Sequence, residues 1–406
     1  MNEHQVSVVD PSTCANCGFC QEVLFCPSPE ECVGCGVCVV GCPYRARKFV
    51  SDEKPRQQIT INLNGNTINV PEKVTLKSAI ERSGHRIEHV PWEGDLTVPC
   101  RTGGCWTCAV LVDGQLTRAC VQSVSEGMVV QVPPPVKSPP LRIIHGPQPH
   151  SVGGKATPWS LKRSRQYIEV AIWTAGCNLR CPQCQNYTTT YDGTSSAVTP
   201  EEAARRVTRA RHRYQVDRMA ISGGEPTLNR RWLVTYFHAL RKHNSDPNAR
   251  LHLDSNGTFL TPDYIDELVE AGVTDIGVEP KGIRTETFMH ITAICDRNLA
   301  QRYLTTAWEA IAHITSHHRD HVFLGVGLPY NQALIDPGEV QDFGRKLASI
   351  DPEIQVCVLD YFPSFRRRDI SRPSAQEMLA IRRLLEGTGL KTVVVQTARG
   401  HFGPGD

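Results

Sequence analysis

The sequence predicts an α/β chain in which two small cysteine-rich modules precede a partial (β/α)6-type barrel. Three observations carry that expectation. Beyond about residue 166, six apolar strand-like runs alternate with amphipathic helical stretches, the pattern of a parallel sheet covered by helices. Fifteen of the 17 cysteines fall into four spaced groups, three of them before the barrel. Between these regions, residues 133–165 are rich in Pro and Gly and lack periodicity, which predicts a linker, stiff in its PPPVKSPP half. A chain of 406 residues is long enough for two or three cores.

Composition narrows the function classes. With 44 Lys+Arg against 42 Asp+Glu there is no net field to favour nucleic acid or an anionic membrane surface. No apolar run approaches the roughly 20 residues of a membrane span, and MNEHQVSVVD lacks the layout of a signal peptide. A soluble, cytoplasmic protein is expected. The cysteines stand two or three residues apart, where disulfide geometry is poor and metal ligation natural, so a reducing, oxygen-poor compartment follows.

Residues 1–55 hold the first two groups, Cys14-x2-Cys17-x2-Cys20-x5-Cys26-Pro27 and Cys32-x2-Cys35-x2-Cys38-x3-Cys42-Pro43. Three cysteines spaced by two wrap one face of a four-iron cubane, and in the two-cluster pattern the remote fourth ligates the other cluster. Cys14, Cys17, Cys20 and Cys42 are thus assigned to one [4Fe-4S] cluster, and Cys32, Cys35, Cys38 and Cys26 to a second. Zinc sites show separated C-x2-C knuckles instead of triplets followed by Cys-Pro. The segment resembles the bacterial-type 2[4Fe-4S] ferredoxin family.

Residues 56–132 change character. QQITINLNGNTINV alternates apolar and polar positions about an Asn64-Gly65 turn, a helical pattern follows, and a second hairpin is predicted at Asp113-Gly114. Between them Cys100-x4-Cys105-x2-Cys108, with Cys120 remote, has the plant-type [2Fe-2S] spacing. Gly103 and Gly104 let that loop fold over a cluster. The segment resembles the β-grasp domain of plant-type ferredoxins.

The barrel region, 166–406, has candidate strands at 167–174, 218–222, 250–254, 275–279, 322–327 and 355–361, separated by helical stretches such as PEEAARRVTRARHRYQ and RYLTTAWEAIAHITSHH. Function is expected at the C-terminal strand ends. Directly after the first strand stand Cys177, Cys181 and Cys184, in C-x3-C-x2-C spacing with no fourth cysteine nearby. Three thiolates on a cubane leave one iron open to a further ligand, as a catalytic zinc keeps one position free. Ser222-Gly223-Gly224-Glu225-Pro226 ends the second strand, Asp254-Ser255-Asn256-Gly257 the third, and Glu279-Pro280-Lys281 the fourth.

This set resembles the radical S-adenosylmethionine (radical SAM) superfamily, and its wording GCNLRCPQCQN, ISGGEPTL and LDSNGT looks most like the pyruvate formate-lyase-activating enzyme group. The resemblance implies a third [4Fe-4S] cluster on Cys177, Cys181 and Cys184 whose open iron chelates SAM. It implies that Gly223, Gly224 and Glu225 bind the methionyl amino group and that Ser255 and Asn256 contact the SAM ribose or carboxylate. Glu279 and Lys281 are either SAM or substrate contacts or an ordinary ion pair. Gln183 departs from the family, many members of which carry an aromatic residue there, next to the adenine.

The implied activity is reductive cleavage of SAM to a 5′-deoxyadenosyl radical that abstracts hydrogen from a protein, as a glycyl-radical activase does, or from a small molecule. The three N-terminal clusters would relay electrons from a low-potential donor of ferredoxin or flavodoxin type. Activating enzymes with extra clusters generally carry them after the radical SAM cysteines, so a glycyl-radical substrate is one option only. The rival reading is an electron-transfer subunit with a non-catalytic barrel. A nicotinamide-dependent reductase lacks support, since no strand-linked G-x-G-x-x-G is present. Asp360 and Tyr361 are expected at the barrel mouth, Arg366, Arg367 and Arg368 either there or on a solvated loop, and Cys295 and Cys357 packed.

Overall fold

The computed structural model describes residues 4–90, 93–163 and 166–406. The chain forms two compact units: residues 1–144 with 174–178 and 186–199, and residues 145–173 with 179–185 and 200–406. Among the described residues no helix is long and apolar enough to cross a membrane.

The first unit begins with antiparallel strands His4–Val9 and Arg47–Asp52, which frame the cysteine loops and two short helices, Phe19–Glu22 and Val37–Gly41. A mixed five-stranded sheet follows, in the order Asn66–Pro71, Gln58–Leu63, Val129–Gln131, Ala109–Val112, Gln115–Arg118. Both expected hairpins are present. Asn64 and Gly65 take φ of 52° and 87°, Asp113 and Gly114 48° and 81°, the left-handed pairs that a two-residue turn between twisted strands requires. The helix Leu76–Arg82, capped by Thr75 Oγ1 accepting from Ser78 N, buries Leu76, Ala79 and Ile80 at the centre of this module's core.

In the second unit all six expected strands form, here numbered β1 (Glu169–Thr174), β2 (Arg218–Gly223), β3 (Arg250–Ser255), β4 (Asp275–Val278), β5 (Phe323–Tyr330) and β6 (Gln355–Asp360). From β2 to β6 each strand pairs with the next in parallel. A seventh, β7 (Val393–Thr397), is parallel to β6, and β8 (Gly400–Phe402) returns antiparallel. The covering helices are α1 (Pro200–Tyr214), α2 (Arg230–His243), α3 (Pro262–Glu270), α4 (Thr285–Thr292), α5 (Arg297–His317), α6 (Pro337–Ile350) and α7 (Ala375–Glu386). Their starts are written locally: Asp296, Asp336 and Ser374 each cap a helix through the side chain, and α3 and α6 open on Pro, whose missing N–H is no loss there. Strands β2 to β5 are buried along nearly their whole length, as a parallel sheet covered on both faces must be.

The linker expectation for 133–165 needs correction. Arg142–His150 is a nine-residue strand whose first residues, Arg142 and Ile143, pair antiparallel with Val198 and Ala197, and Trp159–Lys162 is a helical turn. Its prolines and glycine hide a buried apolar start, Ile143 and Ile144 being almost fully enclosed. Residues 164 and 165 lie outside the described residues.

Candidate functional site

Within the first unit the cysteines gather as the spacing requires. Cys14, Cys17, Cys20 and Cys42 line one cavity of about 310 Å³ with Gly18, Pro43 and Arg47. Cys42 and not Cys26 lines this cavity, and four convergent thiols around a space of that size have the donor chemistry a cubane needs. Ala46 N donates to Cys42 Sγ at 3.3 Å, and Arg47 Nη2 lies 3.7 Å from Cys20 Sγ. Cys26, Cys32 and Cys38 lie close enough to act electrostatically on Cys35, whose thiol burial, foremost, and these neighbours push up to about 12. Ser7 N and Gly34 N donate to Cys32 Sγ at 3.3 and 3.5 Å. Such donors favour thiolate over thiol, the form a metal needs.

Cys100, Cys105, Cys108 and Cys120 are all buried, at most 5 % exposed. Cys105 and Cys100 Sγ stand 3.0 Å apart, with Thr107 Oγ1 3.2 Å from Cys105 Sγ and Thr102 N 3.5 Å from Cys100 Sγ. Four enclosed sulfurs have the donor chemistry a [2Fe-2S] rhomb needs.

Cys177, Cys181 and Cys184 lie on the loop that leaves the C-terminal end of β1, where a barrel keeps its chemistry. The part of this loop in the second unit is held by backbone. Arg180 N donates to Thr292 O at the end of α4, Arg366 N and Arg367 N both donate to Pro182 O, and Ser364 Oγ donates to Cys184 O at 3.0 Å. The arginine run therefore serves the loop through its peptide groups. Arg367 Nε pairs with Asp369 at 3.1 Å and Arg368 Nε donates to Phe365 O. Gln183 is buried and donates to Ile291 O at 2.8 Å, leaving Oε1 without a partner. That turns it into the protein and away from an adenine-stacking role.

The GGE element is tied into the sheet through its carboxylate. Glu225 is fully buried, and its Oε1 accepts from Thr227 N, Thr227 Oγ1 and Ser255 Oγ while Oε2 accepts from Asn256 N at 2.7 Å. Its carboxylate ties the end of β2 to the end of β3. Ser255 Oγ also accepts from Gly257 N, and Asn256 Oδ1 accepts from Thr258 N and Oγ1. The three residues thus build the rim that Gly223, at φ 118°, and Gly224 sit on.

Glu279 and Lys281 form a direct, buried pair, and Tyr361 joins them: Lys281 Nζ is 3.0 Å from Tyr361 Oη, which donates to Glu279 Oε1 at 3.0 Å. Of the alternatives left open from sequence, the ion pair is present, and Lys281 also lies close enough to Cys181 to feel its charge. Burial opposes the charge on Lys281, but Glu279, then Tyr361 and Cys181, more than offset it and hold its pKa well up. Burial likewise works against the Glu279 carboxylate and is outweighed by Lys281 and Lys155, so its pKa lies low. Asp360 is buried and bonded to Arg372 at 2.7 Å.

Lys155 is absent from the sequence-derived site. It reaches into the sheet, 3.4 Å from Asp254 and 3.8 Å from Glu279, and its carbonyl passes so close to Gly325 that a Cβ there would stand 2.2 Å from it. Only the cluster of glycines at 277, 325 and 327 hints at such an insertion. Beneath it His252 contacts Asp254 at 3.3 Å and Glu169 at 3.4 Å, the latter a Coulombic contact without hydrogen-bond alignment. Cys357 is buried as expected, whereas Cys295 is exposed, because Ala293 in the left-handed region ends α4 before it.

Comparison with known proteins agrees with this geometry. Residues 171–333 match the radical SAM superfamily and residues 56–134 the 2Fe-2S iron-sulfur cluster binding domain. Among curated relatives, a probable GTP 3′,8-cyclase of Thermoplasma volcanium is 31 % identical over 134 residues, 33 % of this chain and 39 % of that one. The AdoMet-dependent heme synthase of Methanosarcina barkeri is 31 % identical over 138 residues, 31 % and 35 % of the two chains. The GTP 3′,8-cyclase of Geobacter sulfurreducens is 27 % identical over 210 residues, 52 % and 59 %. In each case this chain spans less than two thirds of the relative's length. Solved structures with a similar trace include Streptococcus suis SuiB bound to its precursor peptide SuiA (TM-score 0.41, 10 % identity, 52 % of this chain and 43 % of that one) and Escherichia coli coproporphyrinogen III oxidase (0.36, 18 %, 51 % and 48 %).

Proposed function

We propose that the chain is a radical SAM enzyme whose N-terminal iron-sulfur sites deliver the electron its barrel needs, and that its substrate is a small polar molecule. The observation that carries the reading is the loop bearing Cys181 and Cys184, pinned by Ser364, Arg366 and Arg367 beside the buried Lys281–Glu279–Tyr361 group. With SAM on the open iron, the cofactor pair supplies a carbon radical able to remove a hydrogen atom from a bound substrate.

The residues do the rest. Glu225, Ser255 and Asn256 fix the rim formed by the ends of β2 and β3, so the groups meeting SAM are placed in advance. Lys281 stays charged beside Cys181, and a buried cation there favours arrival of negative charge on the adjacent site. Lys155, Asp254 and Glu279 put fixed charges in the barrel, which suits a polar ligand. The curated relatives named for GTP and for heme support a small-molecule substrate over a glycyl-radical protein.

The test is anaerobic reconstitution with iron and sulfide, reduction by titanium(III) citrate, and measurement of 5′-deoxyadenosine released from SAM. Release by the wild type and none by Cys181→Ala supports the enzyme. No release by the wild type with this strong reductant sinks it and leaves the electron-transfer subunit standing.

A further inference from the structure

Two contacts inside the first unit order the iron-sulfur sites. The loop of Cys100 and Cys105 packs backbone to backbone against Gly176, the residue before Cys177. A Cβ on Gly176 would lie 2.8 Å from both Cys105 Cβ and Cys105 N and 3.2 Å from Cys100 Cβ; one on Gly104 would lie 2.7 Å from Ala175 Cβ and 2.9 Å from Gly176 N. Real Cβ atoms do not approach so closely, so each loop has glycine where the other passes. One peptide bond then separates the residue in contact with Cys105 from the ligand Cys177.

The second contact involves the same loop. Arg118 places its guanidinium 4.5 Å over the ring of Phe25 and 5.0 Å over the indole of Trp106. Phe25 precedes Cys26, and Trp106 stands between Cys105 and Cys108. The same guanidinium donates to Gly193 O at 2.9 Å and Gly103 O at 3.4 Å, and Gly193 is itself packed against Phe25 and Thr102. A planar cation stacked between two rings and bonded to two carbonyls is a fixed joint, and Lys lacks the fork to replace it. Burial supplies the direction. Cys17 is exposed, whereas the four sulfurs at 100, 105, 108 and 120 are enclosed and closed to an external protein.

We infer that the [2Fe-2S] site is the last carrier before the Cys177 loop, and that Arg118 is the positioning residue that couples it to the [4Fe-4S] site of Cys26, Cys32, Cys35 and Cys38. This rests on the proposed relay. Each step moves one electron: a low-potential donor of flavodoxin or ferredoxin class is oxidised by one, the [4Fe-4S] sites take it up in turn, and the [2Fe-2S] site passes it on, with no bond made or broken.

The experiment is anaerobic stopped-flow mixing of reconstituted holoprotein with reduced flavodoxin, following the visible bleach and freeze-quench EPR signals of the two cluster types separately. In Arg118→Met the [4Fe-4S] sites should reduce at the wild-type rate and the [2Fe-2S] site more slowly by about 10- to 100-fold, the effect expected when a positioned pair is loosened. Phe25→Leu, which keeps apolar bulk and loses the ring, should slow the same step, and Arg118→Lys should not restore it. Iron content and unchanged [2Fe-2S] EPR line shape report intact sites in each variant. Reduction of the [2Fe-2S] site at the wild-type rate in both Arg118→Met and Phe25→Leu overturns the coupling. So does wild-type flavodoxin-driven reduction of the Cys177 site in Cys120→Ser, which lacks the [2Fe-2S] site. These kinetics are read without SAM, so a wild type that never yields 5′-deoxyadenosine would defeat the proposed enzyme and leave this order to stand or fall separately.

Discussion

His252 is the residue with the plainest pH signature. Burial opposes its protonation, yet Asp254 and Glu169 prevail and raise its pKa from 6.5 to about 9, while both acids are held low. A raised folded pKa means that the stabilisation is full below pH 6.5 and lost as pH climbs through about 9. The urea midpoint of the reconstituted protein should fall over that window by the equivalent of at most roughly 3 kcal/mol, and His252→Gln should flatten the slope. A wild-type midpoint level from pH 6 to 9 would refute the charge pairing. Lys281 obeys the same logic in a tighter setting. Lys281→Met leaves the buried Glu279 carboxylate with the Tyr361 hydroxyl and, as its nearest cation, the more distant Lys155, so a loss of about 3 to 5 kcal/mol is expected by denaturation, with double Lys281→Met, Glu279→Leu recovering part of it. The cysteines were readable from sequence because their ligand spacing is local. Lys155, His252 and Ser364 were not, because Asp254, Glu169 and Cys184, which they respectively meet, lie 99, 83 and 180 residues away along the chain.

Among the elements, strand–helix alternation carried all six barrel strands to within a few residues, since a buried parallel strand is a near-continuous apolar run. Arg142–His150 escaped because Gly146 and two prolines within it mimic a loop, and it is a strand through its neighbours on both sides, residues 197 and 198 and the strand Glu169–Thr174. The lumen of β5 makes a testable demand of its own. Gly325→Val would drive a side chain into the carbonyl of Lys155, backbone that cannot rotate away, so at least 1 to 3 kcal/mol of destabilisation is expected from overpacking. Thermal melts of Gly325→Val and of the smaller Gly325→Ala should rank in that order; equal melting temperatures would show that the 153–156 segment is not seated there. The cysteine loops test the crossed pairing. Cys42→Ser should alter the EPR spectrum of the Cys14, Cys17, Cys20 site and Cys26→Ser that of the Cys32, Cys35, Cys38 site, the reverse of what sequence order alone suggests.

At the scale of the whole molecule, the proposed relay makes twelve cysteines in closed fours a store of electrons and three in an open set its one place of use. A store that is wired behaves differently from one that is only nearby. With the four proposed clusters in place, each would hold one exchangeable electron, so the fully reduced chain would carry roughly four, of which only one would reside at Cys177, Cys181 and Cys184. If the protein is reduced, stripped of reductant by gel filtration and mixed with excess SAM, an isolated barrel can make no more than about one 5′-deoxyadenosine per chain. A chain whose sites communicate should exceed one and approach about four, because each cleavage is irreversible and draws the next electron forward even from a carrier of unfavourable potential. Arg118→Met should divide the yield in time, a prompt phase of about two from the sites on the near side of the joint and a slow remainder from the far side. A single prompt equivalent in the wild type, with the N-terminal signals still reduced by EPR, would show that the clusters share a chain without sharing electrons.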